Sequence, residues 1–339
     1  MSDLKPDSRA IYVSFFMFTT DLKLSDSEYT RVIITHMQEL QKRGYAGLEL
    51  PIGQGAVQEY PQEVAAFADL RRVMDEEGLG ELQITTNVAA TRTFDPSSPY
   101  PEQRQEALAY LKSRVDITAA LRGQIMMGPL IIPYHVFPVS DTNAPIWSDH
   151  LQDHLAGRYA NAQPILEELG LYAEHRNVKL AIEPITHWET PGPNKLSQLM
   201  AFLEGVVSQQ VGVVIDSAHE ILDGDGPAIF ATQVKRLAAA GRLHYVQVSP
   251  PDRGAVHTSW IPWQAFFEPI LQVYDGPIAV EIFNAIPAFL DSLHLTRRKF
   301  WIPGEDRPHP KYPDAYTIAS EALMATRTVL HQIIGMPTA

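Results

Sequence analysis

The 339-residue sequence contains no cysteine. This absence excludes disulfide bonds, zinc–thiolate sites and thiol nucleophiles, and it suits a reducing cytoplasm. The chain also has no stretch of about 18 uninterrupted apolar residues and no apolar signal segment near its start, so we expect a cytoplasmic protein without a membrane partner. The 27 basic residues are outnumbered by 40 acidic ones, and the resulting formal net charge of −13 disfavours binding to nucleic acids.

What the chain does contain is a series of eight short apolar runs, each followed by a longer amphipathic segment. Such runs, when bounded by Gly, Pro, Asp or Asn, are typical of parallel strands that are buried on both faces. The predicted strands are Ile11–Phe18, Tyr45–Pro51, Leu82–Val88, Gln124–Ile132, Val178–Pro184, Val211–Asp216, Leu243–Ser249 and Pro277–Phe283. The predicted helices are Asp26–Arg43, Tyr60–Glu77, Pro101–Leu121, His150–Arg176, Lys195–Val207, Ala228–Ala240, Trp263–Val273 and Pro313–Gln332.

Eight strands that alternate with eight helices predict an α/β fold, a single (β/α)8 TIM barrel over residues 1–339. No linker or repeat divides the chain, and it has no Gly-x-Gly-x-x-Gly motif of the kind that open nucleotide-binding sheets use. Two proline-containing segments, Pro133–Asp149 and Leu290–Lys311, predict extended loops after strands four and eight. Barrel enzymes place their sites at this end of the strands, so we expect both loops to cover a substrate.

Four consecutive predicted strands end in a side chain that can bind a metal ion. These side chains are Glu183, Asp216, Gln247 and Glu281. Three carboxylates at one end of a barrel would repel one another and raise their own pKa values unless a cation lay between them. Oxygen donors without sulfur or imidazole favour Mn²⁺, with Mg²⁺ or Co²⁺ as alternatives. For any one of these carboxylates taken singly, a salt bridge or a loop hydrogen bond is the competing explanation.

Further polar groups follow the metal-binding positions three or six residues later. Glu189 follows the fifth strand, His219 the sixth and Arg253 the seventh, and we expect all three to contact a substrate. His187 and Trp188, which precede Glu189, complete the predicted substrate-binding set. Aromatic residues that could form an apolar floor under a sugar are Trp188, Phe15, Phe16, Trp260 and Phe283. Core packing also explains each of these aromatic residues taken alone.

The combined spacing resembles the xylose isomerase-like barrel superfamily, particularly its ketose 3-epimerase branch, over nearly the whole barrel. That branch has two glutamates six residues apart at strand five, an aspartate with a histidine three residues later at strand six, and a glutamate at strand eight. At strand seven it has a metal ligand with an arginine six residues later. The segments Gly47–Leu50 and Gly128–Pro129 are also similar. The resemblance implies a divalent-metal-dependent sugar isomerase or epimerase, often a homodimer or homotetramer.

Within this resemblance, Glu183 and Glu281 are the expected catalytic residues. One would remove a proton next to a carbonyl, and the other would return it from the opposite face through a metal-stabilised enediolate. Gln247 departs from the pattern, because ketose 3-epimerases usually have histidine at this position. A glutamine there resembles the metal-dependent 3-dehydroshikimate dehydratases. A dehydratase acting on a keto-acid or keto-inositol, or a 3-keto-glycoside lyase, is therefore an alternative.

Two further alternatives use the same barrel for other purposes. A DNA-repair endonuclease of this superfamily needs many histidines at the strand ends, and His219 is the one clear candidate in this sequence. A non-catalytic sugar-binding barrel has no need of two proton-transfer carboxylates. The residues therefore favour an enzyme acting on a small sugar or keto-acid.

Overall fold

Eight parallel strands form a closed barrel in which each strand pairs with its neighbours in sequence and the last pairs with the first. The computed structural model describes residues 9–18, 22, 24–55, 59–139, 142, 144, 150–283 and 300–335. The strands are β1 (Ile11–Ser14), β2 (Gly47–Pro51), β3 (Gln83–Asn87), β4 (Ile125–Gly128), β5 (Lys179–Ile182), β6 (Val211–Asp216), β7 (Leu243–Val248) and β8 (Ile278–Val280). The predicted (β/α)8 barrel is confirmed.

Every strand is followed by at least one helix in the described part of the chain. The helices are α1 (Tyr29–Lys42), α2 (Tyr60–Glu76), α3 (Pro101–Ala120), α4 (His150–Glu174), α5 (Leu196–Leu203), α6 (Ser217–Asp223), α7 (Pro227–Ala239), α8 (Trp263–Leu271) and α9 (Ala315–Ile334). None of the described helices is both long enough and apolar enough to cross a membrane. The short helix α6 was not predicted, and it begins directly after β6 because the Asp216 side chain accepts hydrogen bonds from the backbone at its start.

The first and fourth predicted strands extend furthest beyond the observed ones, because capping and turn residues end β1 and β4 early. The first run continues to Phe18, but the Ser14 side chain accepts a hydrogen bond from the Phe16 backbone and starts a 3-10 turn. The fourth run continues to Ile132, but Gly128 has a φ of 132° and turns the chain away from the sheet. Both turns occur at the carboxyl end of a strand, so the residues that follow lie above the barrel.

The two predicted loops are described only in part. Residues 133–139 and 300–311 are described, whereas most of residues 140–149 and all of 290–299 lie outside the described residues. The described part after β8 is held to the barrel through Glu305, whose carboxylate lies 3.2 Å from the buried ring of His36 on α1. The extended loops and the single domain over residues 1–339 stay predictions.

Gly128 is the position in β4 where the fold leaves no room for a side chain. A Cβ atom there would collide with the backbone oxygen of Val88, and the positive φ adds strain to any other residue. We predict that Gly128→Ala lowers the free energy of unfolding by about 3 kcal/mol in a denaturant titration. Gly157→Ala is the matched control, because Gly157 lies exposed in α4 with no atom near its absent Cβ. It should be neutral or stabilising by up to about 1 kcal/mol; equal losses in the two variants would contradict this explanation.

Candidate active site

A cavity of about 290 Å³ lies where the strands end, and most of the predicted site residues line it. The lining includes Glu183, Glu189, His219, Arg253 and Glu281, whereas the predicted metal ligands Asp216 and Gln247 are buried and do not line the cavity. The barrel explains this convergence, because parallel strands direct their carboxyl ends to one face. Residues that are distant in sequence therefore face a common volume.

The fifth and sixth strands contribute a tight group of buried ligand atoms. Glu183 follows β5 directly, and Asp216 is the last residue of β6. His219, on the first turn of α6, places its Nε2 atom 3.0 Å from Oε1 of Glu183. One ligand atom from each of these three residues lies within 4.8 Å of the other two, close enough for all three to hold one metal ion. His219, predicted as a substrate contact, thus also lies within reach of a metal.

The seventh and eighth strands add an amide and a carboxylate, and β2 adds an unpredicted glutamate. Gln247 donates through Nε2 to Glu281 at 3.3 Å and to Glu49 at 2.9 Å. Asn87, at the end of β3, donates to the other oxygen of Glu49 at 3.0 Å. Glu49 and Gln247 are both completely buried. The polar cluster therefore extends beyond the four predicted strand ends, across the barrel to β2 and β3.

Asp216 is held by a serine that was not predicted. The Oγ atom of Ser249 lies 2.7 and 2.8 Å from the two carboxylate oxygens of Asp216. Its backbone is in turn fixed by Ser217, whose hydroxyl donates to the Ser249 carbonyl at 2.6 Å. These contacts fix the direction of the Asp216 carboxylate without neutralising its charge.

Arg253 is the cation that compensates part of this negative charge. Its guanidinium lies 3.4 Å from Glu189 and 3.8 Å from Glu281. Its backbone φ of 58° is unusual for a residue other than glycine, and such backbone strain is often found at functional sites. Tyr134, in the loop after β4, also reaches this group, with its hydroxyl 3.4 Å from Glu189. Arg253 thus connects the predicted substrate-binding Glu189 to a predicted metal ligand.

The three buried glutamates of the cluster resist ionisation. Burial raises the pKa of Glu281 well above its usual value, and the charges of Asp216, Glu49 and Glu183 raise it further. Burial also raises the pKa of Glu49 to about 7 and that of Glu183, although hydrogen bonds partly oppose both shifts. Full ionisation of the cluster would therefore need more positive charge than its own cations supply.

His219 and Glu189 show the opposite tendency and favour their charged forms. Burial and Arg253 lower the pKa of His219, but the nearby carboxylates of Glu183 and Asp216 outweigh them and the net shift is upward. Burial raises the pKa of Glu189, but Arg253, His219 and Thr186 outweigh it and the net shift is downward. The side of the cavity next to the predicted metal ligands is thus an ion-pair network suited to polar substrate groups.

The donor set fits a divalent cation. Because both hydrogens of the Gln247 amide are donated to carboxylates, its Oε1 atom is left buried, and among the described residues no donor reaches it. An unpaired buried amide oxygen costs about 1–3 kcal/mol. A cation would give that oxygen a partner and would reduce the repulsion among Glu183, Asp216 and Glu281 at the same time.

Two predicted substrate contacts lie apart from this cavity. The His187 ring is hydrogen-bonded to Asp223 at 2.6 Å, and its side chain is 62% exposed. Trp188 is 42% exposed and packs edge-on against His187. Neither residue lines the cavity. Although both are next to Glu189 in sequence, the turn over residues 187–189 directs their side chains elsewhere.

Of the predicted aromatic residues, some line the cavity and others lie apart from it. Phe16 and Phe283 line the cavity and stack with ring centroids 5.3 Å apart, and the Arg253 guanidinium lies 5.0 Å from the Phe283 ring. Phe15 instead packs in the core against Phe18. Trp260 is 78% exposed and does not line the cavity. Two of the five predicted rings therefore line the cavity.

Comparison with known proteins agrees with the fold and with the predicted resemblance. A family model for the xylose isomerase-like TIM barrel matches residues 37–299, a range that contains every predicted site residue. A crystal structure from Anabaena variabilis, described as that of a candidate sugar phosphate isomerase/epimerase, is 67% identical in sequence. It covers 96% of this chain and 99% of that chain, with a TM-score of 0.93.

Two curated relatives are epimerases of ketoses. The L-ribulose 3-epimerase of Methylomonas sp. (strain DH-1) is 27% identical over 150 residues, which are 43% of this chain and 51% of that protein. The ketose 3-epimerase of Arthrobacter globiformis is 23% identical over 160 residues, which are 46% of this chain and 54% of that protein. The chain thus spans about half the length of the curated relatives it matches. Since the family model matches more than half of the chain, the protein belongs to the xylose isomerase-like TIM barrel family.

Proposed function

We propose that the protein is a divalent-metal-dependent sugar isomerase or epimerase that transfers a proton at the carbon next to a carbonyl. The observation that carries the proposal is that Glu183 and Glu281 line one cavity, that Asp216 lies close to Glu183, and that the buried amide oxygen of Gln247 meets no donor among the described residues. The similarity to two ketose 3-epimerases supports a ketose as the substrate.

Glu183, Asp216, Gln247 and Glu281 would hold the cation. When bound, a divalent ion would withdraw electrons from a substrate carbonyl and make the neighbouring C–H bond more acidic. Oxygen donors favour Mn²⁺, with Mg²⁺ and Co²⁺ as alternatives. Because ionisation of these buried glutamates needs added positive charge, the site favours any of these ions over a neutral ligand.

Glu183 and Glu281 would act as the two proton-transfer groups. They follow β5 and β8, which are separated by two strands around the barrel, so they approach the cavity from different sides. A substrate between them would lose a proton to one carboxylate and regain it from the other on the opposite face. These two proton transfers invert the configuration of the carbon.

The ion-pair network beside the two glutamates would orient the substrate. His219 and Arg253 can donate hydrogen bonds to oxygens that gain negative charge as the proton leaves, which stabilises the transition state. Glu189, held ionised by Arg253, can accept a hydrogen bond from a sugar hydroxyl. Phe16 and Phe283 offer an apolar surface to the C–H face of the sugar.

Metal dependence is the first expected property. Dialysis against EDTA should abolish turnover, and added Mn²⁺ should restore it. At about 100 times its dissociation constant, Mn²⁺ should also stabilise the fold by about 2.7 kcal/mol, which a thermal melt would detect. Full activity after chelation, with no rise in melting temperature on adding Mn²⁺, would contradict the proposed metal centre.

Loss of either proton-transfer group should abolish activity without unfolding the barrel. We predict that Glu183→Gln and Glu281→Gln each lower kcat at least about 100-fold while circular dichroism stays unchanged. Glu220→Gln is the matched control, because Glu220 follows His219 on α6, does not line the cavity, and has a pKa that burial raises to about 8. Its amide would replace an uncharged acid at pH 7, so the control should keep its activity. Near-normal turnover in either glutamate variant would refute the two-base scheme.

A dehydratase or lyase is the second candidate function, because Gln247 resembles the metal ligand of the dehydratases. In those enzymes the same proton abstraction would be followed by loss of a β-hydroxyl. A panel of ketoses and keto-acids in D₂O with Mn²⁺ separates the two reactions. We expect NMR to show deuterium at the inverted carbon. We also expect the ultraviolet spectrum to show no new absorbance. A conjugated enone absorbance with a keto-acid would identify elimination instead.

A further inference from the structure

Glu49 is a completely buried carboxylate that does not line the cavity and has no part in the proposed proton transfer. A buried carboxylate is costly unless other groups stabilise it. Two amides meet it: Asn87 donates to Oε1 at 3.0 Å and Gln247 donates to Oε2 at 2.9 Å. Glu49 thus joins β2 to β3 on one side and to β7 on the other.

The contact with Glu49 determines on which side of the Gln247 amide its NH₂ group and its oxygen lie. The Nε2 atom lies between two carboxylates, Glu49 at 2.9 Å and Glu281 at 3.3 Å. If the amide were rotated by half a turn, its oxygen would lie against carboxylate oxygens on both sides and would be repelled. The carboxylates therefore fix the NH₂ group on their side and leave Oε1 for another partner.

We propose that Glu49 is a positioning residue that holds the Gln247 amide with its oxygen free to bind the divalent cation. The inference rests on the proposed function, since it requires that a cation binds at this site. It also explains how a glutamine can serve as a ligand, because a glutamine needs a fixed orientation before its oxygen, and not its nitrogen, can meet the metal. Groups that orient metal ligands typically contribute 10- to 100-fold to metal affinity.

The test first replaces one acceptor oxygen of Glu49 and then changes Asn87, so that an acceptor again faces Gln247. Asn87 and Gln247 donate to different oxygens of Glu49, so in Glu49→Gln one of these two positions becomes an NH₂ group that cannot accept. In the double variant Glu49→Gln with Asn87→Asp, the new aspartate accepts from the new glutamine, whose oxygen is then free to accept from Gln247. The double variant also restores the parent net charge, so it separates hydrogen-bond direction from charge.

The measurement is the Mn²⁺ dissociation constant, obtained by electron paramagnetic resonance of free Mn²⁺, alongside a thermal melt of the metal-free proteins. We expect Glu49→Gln to bind Mn²⁺ roughly 10- to 100-fold more weakly than the parent and the double variant to recover most of that loss. If Glu49→Gln does not fold, Glu49→Asp serves in its place, because its shorter side chain withdraws the acceptor from Gln247, and it should bind equally weakly.

Each contrary outcome has a separate meaning. Parent-like Mn²⁺ affinity in Glu49→Gln, or a double variant as weak as the single one, would overturn the role of Glu49 while leaving the metal centre in place. Absence of Mn²⁺ binding in the parent protein would instead overturn the proposed function. A fall in the melting temperature of metal-free Glu49→Gln with unchanged Mn²⁺ affinity would make Glu49 a purely structural residue and would contradict the inference.

Discussion

Repulsion among buried carboxylates is the constraint on which the site depends. Glu183, Asp216 and Glu281 lie at the carboxyl ends of β5, β6 and β8, and Glu49 lies on β2, with Arg253 and His219 as the cations in contact with this group among the described residues. Burial and mutual repulsion raise the pKa of the three glutamates, so full ionisation of the cluster is unfavourable in the folded chain. A bound divalent cation would be attracted by these carboxylates and would relieve their mutual repulsion. Its positive charge would also keep the proton-transfer groups ionised.

The closed barrel makes such a concentration of charge possible. Its core of apolar side chains and its continuous strand ladder fix the strand ends, so the carboxylates cannot move apart to relieve their repulsion. Hydrogen bonds then set the direction of individual groups, as Ser249 does for Asp216 and as Glu49 does in the proposed arrangement for Gln247. The fold supplies rigidity, and the polar network supplies orientation.

The sequence was sufficient for the barrel and for the carboxylates that line the cavity, because both depend on patterns along the chain. Apolar runs identified the eight strands. Glu183 and Glu281 were identified because each is a charged residue near the end of such a run. Glu49 gave a weaker signal: it lies inside the run Tyr45–Pro51, and its partner Gln247 is 198 residues away. A charge inside a buried strand needs a partner, and that could have singled it out. Tyr134 and His187 depend on loop directions that no periodic pattern encodes.

The most direct test is an anomalous diffraction map from a crystal of the protein soaked in Mn²⁺. We predict one strong peak at the carboxyl ends of β5 to β8, within about 2.0–2.6 Å of oxygen atoms from Glu183, Asp216, Gln247 and Glu281. A map with no peak among these four side chains would contradict the account.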